Sequence, residues 1–149
     1  MNDREREITA LINAERAARG IAPLTPDERL VAAARGHSED MAAHPGMVHV
    51  GSDGNDGGWR IWAAGYNASR WAEVVGWGFE GQAAAMVSWW LNSPDHAPRL
   101  LDPAMTNIGA GYATGLGPGG HYWAVDFAAG DSQDGETFWA YAPVTMGGG

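Results

Sequence analysis

The sequence predicts an α+β fold in which helices cover an antiparallel sheet. Apolar residues recur at helical spacing through the first half of the chain, and alternation of period two takes over in the second half, at 71–79, 107–114 and 121–128. The strands at 107–114 and 121–128 are joined by a short turn, where a parallel pair would need a crossover helix. At 149 residues, with 45% hydrophobic and 18% charged content, the chain suits one domain over 1–149, with a core from about 5 to 142 and a glycine-rich tail.

The first helix is expected over 2–19. Asn2 and Glu5 stand at capping-box spacing, Ile8, Leu11, Ile12 and Ala18 share a stripe, and Gly20 is a natural stop. Glu15 falls beside the stripe, which leaves one edge near solvent. A second helix opens at Thr25-Pro26-Asp27-Glu28, read as a threonine cap, proline at the first helical position and glutamate closing the box. Its stripe of Leu30, Ala34, His37 and Met41 turns His37 inward, as a hydrogen-bonded core histidine that can also support a neighbouring site.

From His44 to Gly58 the chain is rich in Gly, Asp, Ser and Asn, which is loop chemistry at a length that often carries function. His49 and Asp53 lie in it, before a short helix at Trp59–Ala64 that Gly65 ends. In 71–79, Trp71, Glu73, Val75, Trp77 and Phe79 share one face of a strand. A carboxylate on that face is costly unless a metal, a cationic histidine or a retained proton compensates it, or unless the strand end is solvated.

A third long helix, Gln82–Leu91, is apolar nearly all round, as suits a segment between layers, and its tryptophans read as core. It ends in Ser93-Pro94-Asp95-His96, where proline fixes the backbone and sends His96 off the helix end in a set direction. The 107–114 and 121–128 strands then form a hairpin, with His121, Trp123, Val125 and Phe127 on one face, and His121 is read as exposed and structural. The glycines of 115–120 precede a strand and not a helix, so they read as a turn and not a phosphate loop. Thr137–Tyr141 is expected as an edge strand, and the final Met146-Gly147-Gly148-Gly149 as a frayed tail.

Composition excludes several classes. The net charge is −9, the calculated pI is about 4.8 and every basic residue is arginine, so the surface repels phosphate backbones and nucleic acid is not an expected partner. Cysteine is absent, which excludes disulfides and thiolate metal sites. No run approaches the length of a membrane span, and the first residues lead into no signal-peptide core, so the expectation is either a cytosolic protein or an export signal removed ahead of this chain. No Walker loop, Gly-x-Ser-x-Gly elbow, His-Glu-x-x-His helix or internal repeat occurs.

Several stretches, taken together and in order, resemble one family. They are Leu11-Ile12-Asn13-Ala14-Glu15-Arg16, Pro23-Leu24, His37-Ser38-Glu39-Asp40-Met41, His49, Ala64-Gly65-Tyr66, Ser93-Pro94-Asp95-His96 and Asn107-Ile108-Gly109-Ala110-Gly111. The set, spread over about 5–128, looks like a bacterial member of the CAP superfamily, the SCP-like domain shared by cysteine-rich secretory and plant pathogenesis-related proteins. The resemblance implies a three-layer α-β-α sandwich and a cleft of two histidines and two acids able to hold a divalent metal. Carried onto this chain, it names His49, Glu73 and His96. Ser93 stands where the second acid is expected, and Val74 where an asparagine usually follows the glutamate.

The function implied is a secreted domain whose His49/Glu73/His96 cleft takes a divalent metal such as Zn²⁺, with an open position, and a small or polymeric ligand from extracellular or cell-wall material. His37, Asp53 and Ser93 are secondary candidates. An alternative is a metal-dependent hydrolase in which Glu73 or Asp53 assists proton transfer and the same three residues are catalytic. Another, carried by the family's sterol-binding relatives and the eight tryptophans, is a sterol- or lipid-binding module using Trp59 or Trp62. Extracellular or cell-surface localisation follows from the resemblance.

Overall fold

The computed structural model describes residues 1–115 and 120–131. Helix α1, Asp3–Ala18, starts on the expected capping box: Asn2 Oδ1 accepts from Glu5 N–H at 2.9 Å, and Glu5 Oε1 accepts from Asn2 N–H at 2.9 Å. Gly20 ends it with φ +70°. Asn13 then clamps the chain by bonding both the N–H and the C=O of Leu24, at 2.8 and 3.0 Å.

The second helix, α2, spans Glu28–Ala43 and is capped by Asp27, whose side chain accepts from Arg29 N–H. Thr25 is not the cap, because the sheet claims it first: Thr25–Pro26 forms β1, parallel to the strand at Asn107. A helix follows at Gly57–Ala63 (α3), then β2 at Arg70–Trp77, α4 at Ala83–Leu91, α5 at Ala97–Leu100, β3 at Asn107–Thr114 and β4 at His121–Ala129. Phe79 lies outside β2. The chain turns through Gly78, Phe79, Glu80 and Gly81, all with positive φ, and leaves the strand after Trp77. The expected strand at Thr137–Tyr141, the tail, and positions 116–119 of the glycine-rich turn lie outside the described residues.

The sheet order is β1-β3-β4-β2, with β3 and β2 both antiparallel to β4. Helices cover both faces, giving three layers. On one face Ile8 and Ile12 of α1 and Met86 and Trp90 of α4 pack on Val74, Trp123, Val125 and Phe127. On the other face α2 lies across β3 and β4, and its backbone comes so close that only glycine fits at 109 and 111. Leu30 and Ala34 of α2 meet Ala128, Ala124, Trp71 and Val75 there.

Glu5 does more than cap. It is buried, with Arg35 Nε donating to Oε2 at 2.9 Å and Tyr112 N–H to Oε2 at 3.1 Å, so one carboxylate ties α1 to α2 and β3. Burial pushes its pKa up, but hydrogen bonds from Arg35, Asn2 and Tyr112 outweigh that and leave it below the usual glutamate range. A folded-state pKa below the unfolded one gives stability that is present above pH 4.5 and is lost as pH falls through the folded value. We expect Glu5→Gln to destabilise the protein at neutral pH and to flatten its stability profile below that point, measured by urea unfolding across acid pH. An unchanged acid limb would contradict this role.

Candidate functional site

The site begins with β2. Alternation puts Trp71, Glu73, Val75 and Trp77 on the face towards α2, so Glu73 enters the interior between two apolar clusters, fully buried. Its compensation is Arg60 of α3, whose Nη2 donates to Glu73 Oε1 at 3.0 Å and Oε2 at 2.9 Å, and also to His49 O at 3.0 Å. The α3 N-terminus can sit this close because residue 57 is glycine; a Cβ there would lie 3.0 Å from Glu73 Oε2. His49 comes from the long loop and donates Nδ1–H to Glu73 Oε1 at 3.0 Å. The loop is pinned by His37 of α2, whose Nε2–H bonds Val48 O. His37 is buried, as its stripe implies, and burial depresses its pKa, so it acts as a neutral donor that positions His49.

Asp126 of β4 lies directly across the ladder from Glu73 and is also fully buried. No side chain among the described residues meets either of its oxygens at ordinary hydrogen-bond geometry. Burial and the adjoining Glu73 carboxylate push its pKa well above the usual range, which favours its protonated form. Burial pushes Glu73 upward too. The hydrogen bond from His49, the proton on Asp126 and the charge on Arg60 prevail and hold Glu73 ionised, below the usual carboxylate range.

His96 leaves the end of α4 as its setting implies and becomes the N-cap of α5. Its Nδ1 and Ser93 Oγ are 2.7 Å apart, and its ring lies 5.2 Å from that of Trp89. Burial, with the charges of Arg99 and His49, depresses its pKa. His96 borders a cavity of about 410 Å³ whose walls are Val48, Val75, Trp77, Phe79 and Trp89, with Met86 at its base. Trp77, Phe79, Trp89 and Val48 are each more than 40% exposed, which marks a rim built for contact and not for core packing. The tryptophans therefore divide: Trp71, Trp90 and Trp123 are core, whereas Trp77 and Trp89, expected as core, stand at the cavity mouth and Trp59 is also exposed.

The structure thus joins His49 to Glu73 by a hydrogen bond and sets His96, whose Nδ1 meets Ser93, on the cavity wall. Asp53 is not drawn in; it is exposed and its oxygens accept from Asn55 N–H and Nδ2. Arg60 and Asp126 escape the sequence reading. An acid amid Trp123, Val125 and Phe127 in an apolar strand is a usable signal for Asp126. Nothing local singles out Arg60, whose role depends on how α3 docks on β2.

A model of the cysteine-rich secretory protein family, CAP, matches residues 9–127. The chain is 29% identical over 123 residues to the uncharacterized protein YkwD of Bacillus subtilis, covering 83% of this chain and 46% of that one. Among solved structures it resembles an extracellular protein containing an SCP domain from Bacillus anthracis, with TM-score 0.74, 22% identity, and coverage of 85% of this chain and 40% of that one. It also resembles an outer surface protein of Borrelia burgdorferi, with TM-score 0.74, 20% identity, and coverage of 83% and 90%. The chain thus spans less than half of the two Bacillus proteins, and these structural likenesses bear on the fold, an α-β-α sandwich. Among the described residues no helix is long and apolar enough to cross a membrane.

Proposed function

The chain belongs to the cysteine-rich secretory protein family, and from that premise we propose that it is an extracellular binding domain whose cavity beside His96 takes a small or polymeric ligand. The observation that carries this reading is the exposed rim of Trp77, Phe79 and Trp89 around a space of about 410 Å³, with one imidazole on its wall. Apolar walls with few polar groups are the general design of ligand sites, the walls giving affinity and the polar groups orientation. His96 supplies the orienting hydrogen bond, and Ser93 fixes its ring through Nδ1.

The His49–Glu73–Arg60 set supports the cleft from below. A divalent metal held by His49, Glu73 and His96 does not fit this arrangement: both Glu73 oxygens accept from Arg60, one also from His49, and no three His, Asp, Glu or Cys side chains among the described residues are grouped to hold an ion. Arg60 is itself the cation beside Glu73, and no step of the proposed binding runs through a metal.

The test is a calorimetric titration with a panel of soluble cell-wall fragments, short peptides and a fluorescent sterol. We expect at least one wall fragment or peptide to bind, with affinity reduced at least about tenfold by Trp89→Ala and by His96→Ala, a loss of roughly 1.4 kcal/mol. Silence across the panel, or binding that neither substitution changes, overturns the reading. Turnover of a panel member would replace it with a hydrolase, and sterol binding lost in Trp59→Ala or Trp62→Ala would replace it with lipid carriage.

A further inference from the structure

We infer that the occupant of this cavity is an extended peptide that adds, as a further strand, to the edge of β2 that no other strand among the described residues pairs with. This rests on the binding reading above and names its ligand class. In an antiparallel ladder, alternate residues turn their N–H and C=O groups to the partner strand and the others turn them outward. Gly78 N–H donates to His121 O at 2.9 Å, in continuation of the Trp77–Tyr122 register, so the even-numbered residues of β2 face β4 and the odd-numbered ones face away. Two contacts confirm this phase: Arg99 Nη1 donates to Glu73 O at 3.3 Å and Trp90 Nε1 to Val75 O at 3.0 Å, both from outside the sheet.

Beyond the Glu73 carbonyl that Arg99 covers, the outward groups along the cavity are the N–H of Val75 and both the N–H and C=O of Trp77, and among the described residues none of these has a hydrogen-bond partner. Val75 and Trp77 are also walls of the cavity. An antiparallel peptide residue opposite Trp77 would exchange two hydrogen bonds with it, and the residue two further along would accept from Val75 N–H. Its side chains would alternate between the Trp77–Phe79 and Trp89–His96 walls, the arrangement used in recognition by strand addition.

Edge strands of this kind are ordinarily blunted by charge, proline or a covering element. Here Arg99 covers the edge at Glu73, while at Trp77 exposed aromatic rings flank open backbone. The open length is short, because four successive positive-φ residues end β2 at Gly78, and Phe79 and Glu80 hold that conformation without being glycine. Such a stub suits a short peptide and not edge-to-edge pairing with a second copy, which needs a longer run of free backbone groups. With a net charge of −9, the favoured peptide is neutral or basic.

The experiment uses the wild-type protein. A random heptapeptide library is panned against it, and the recovered peptides are resynthesised with single backbone N-methyl groups at each position. We expect methylation of one amide, that of the residue opposite Trp77, to lower affinity at least about tenfold, with the amides on either side of it changing affinity by less than about twofold. We also expect amide exchange at Val75 and Trp77 to slow in the complex. Recovered peptides that bind regardless of N-methylation, no recovered peptide, or unchanged exchange at both residues overturns strand addition, while the wall-fragment titration above still judges the cavity on its own. Sedimentation of the free protein as a dimer with Val75 and Trp77 already protected assigns the edge to a second copy and likewise overturns it.

Discussion

Glu73→Ala will cost about 3–5 kcal/mol of folding stability, because it strands the Arg60 guanidinium in a largely buried position with no anion beside it. Glu73 accepts from Arg60 on both oxygens and from His49 on one, so a single substitution releases α3 and the long loop from β2 together. Urea unfolding followed by tryptophan fluorescence measures the loss. Arg60→Met combined with Glu73→Gln should cost less than the sum of the single changes, because it removes the uncompensated charge together with its partner. A loss below about 1 kcal/mol for Glu73→Ala would contradict the assignment of Arg60 as its obligatory counterion.

Gly109→Ala is expected to cost about 3 kcal/mol or more, at the upper end of overpacking effects. A Cβ at 109 would lie 2.1 Å from the carbonyl carbon of Leu30 and 2.3 Å from the nitrogen of Val31, both backbone atoms of α2 that no rotamer change can move. The helix must lift off β3, which loosens the layer that carries His37 and, through Val48, the His49 loop. The internal control is Gly36 on the exposed face of the same helix, where an added Cβ meets nothing within 4 Å; Gly36→Ala should stabilise by roughly 1 kcal/mol. Thermal unfolding of the two variants beside the parent separates the effects, and equal small shifts would contradict the close approach.

The legibility of this fold in its sequence follows the range of the interactions involved. The α1 capping box, the inward turn of His37, the strands expected at 107–114 and 121–128 and the two-faced pattern of β2 depend on neighbours a few residues apart, and the structure places them as that logic requires, with the last strand one residue longer, to Ala129. Thr25 looks like a helix cap because its local partners favour one; pairing with β3, some eighty positions away, claims it instead. Phe79 continues the alternation of β2 in sequence, yet Gly78 and Gly81 allow a left-handed turn that takes it out of the strand and onto the cavity wall. Arg60 is invisible in sequence because its meaning lies in α3 docking on β2. Period alone places the tryptophans in the core, and period cannot separate a core face from a rim at the open edge of a sheet.

The most direct test of the cleft assignment is residue-resolved: titrate the ¹⁵N-labelled protein with a ligand recovered from the panel and record which backbone amides shift. The cleft account predicts shifts at Val48, at 75–79, at Trp89 and at His96, with Arg60 and Glu73 following through the ion pair. Shifts confined to the groove between α1 and α4, at Leu11, Val87 and Leu91, with the Trp77 and His96 signals unmoved, would contradict it.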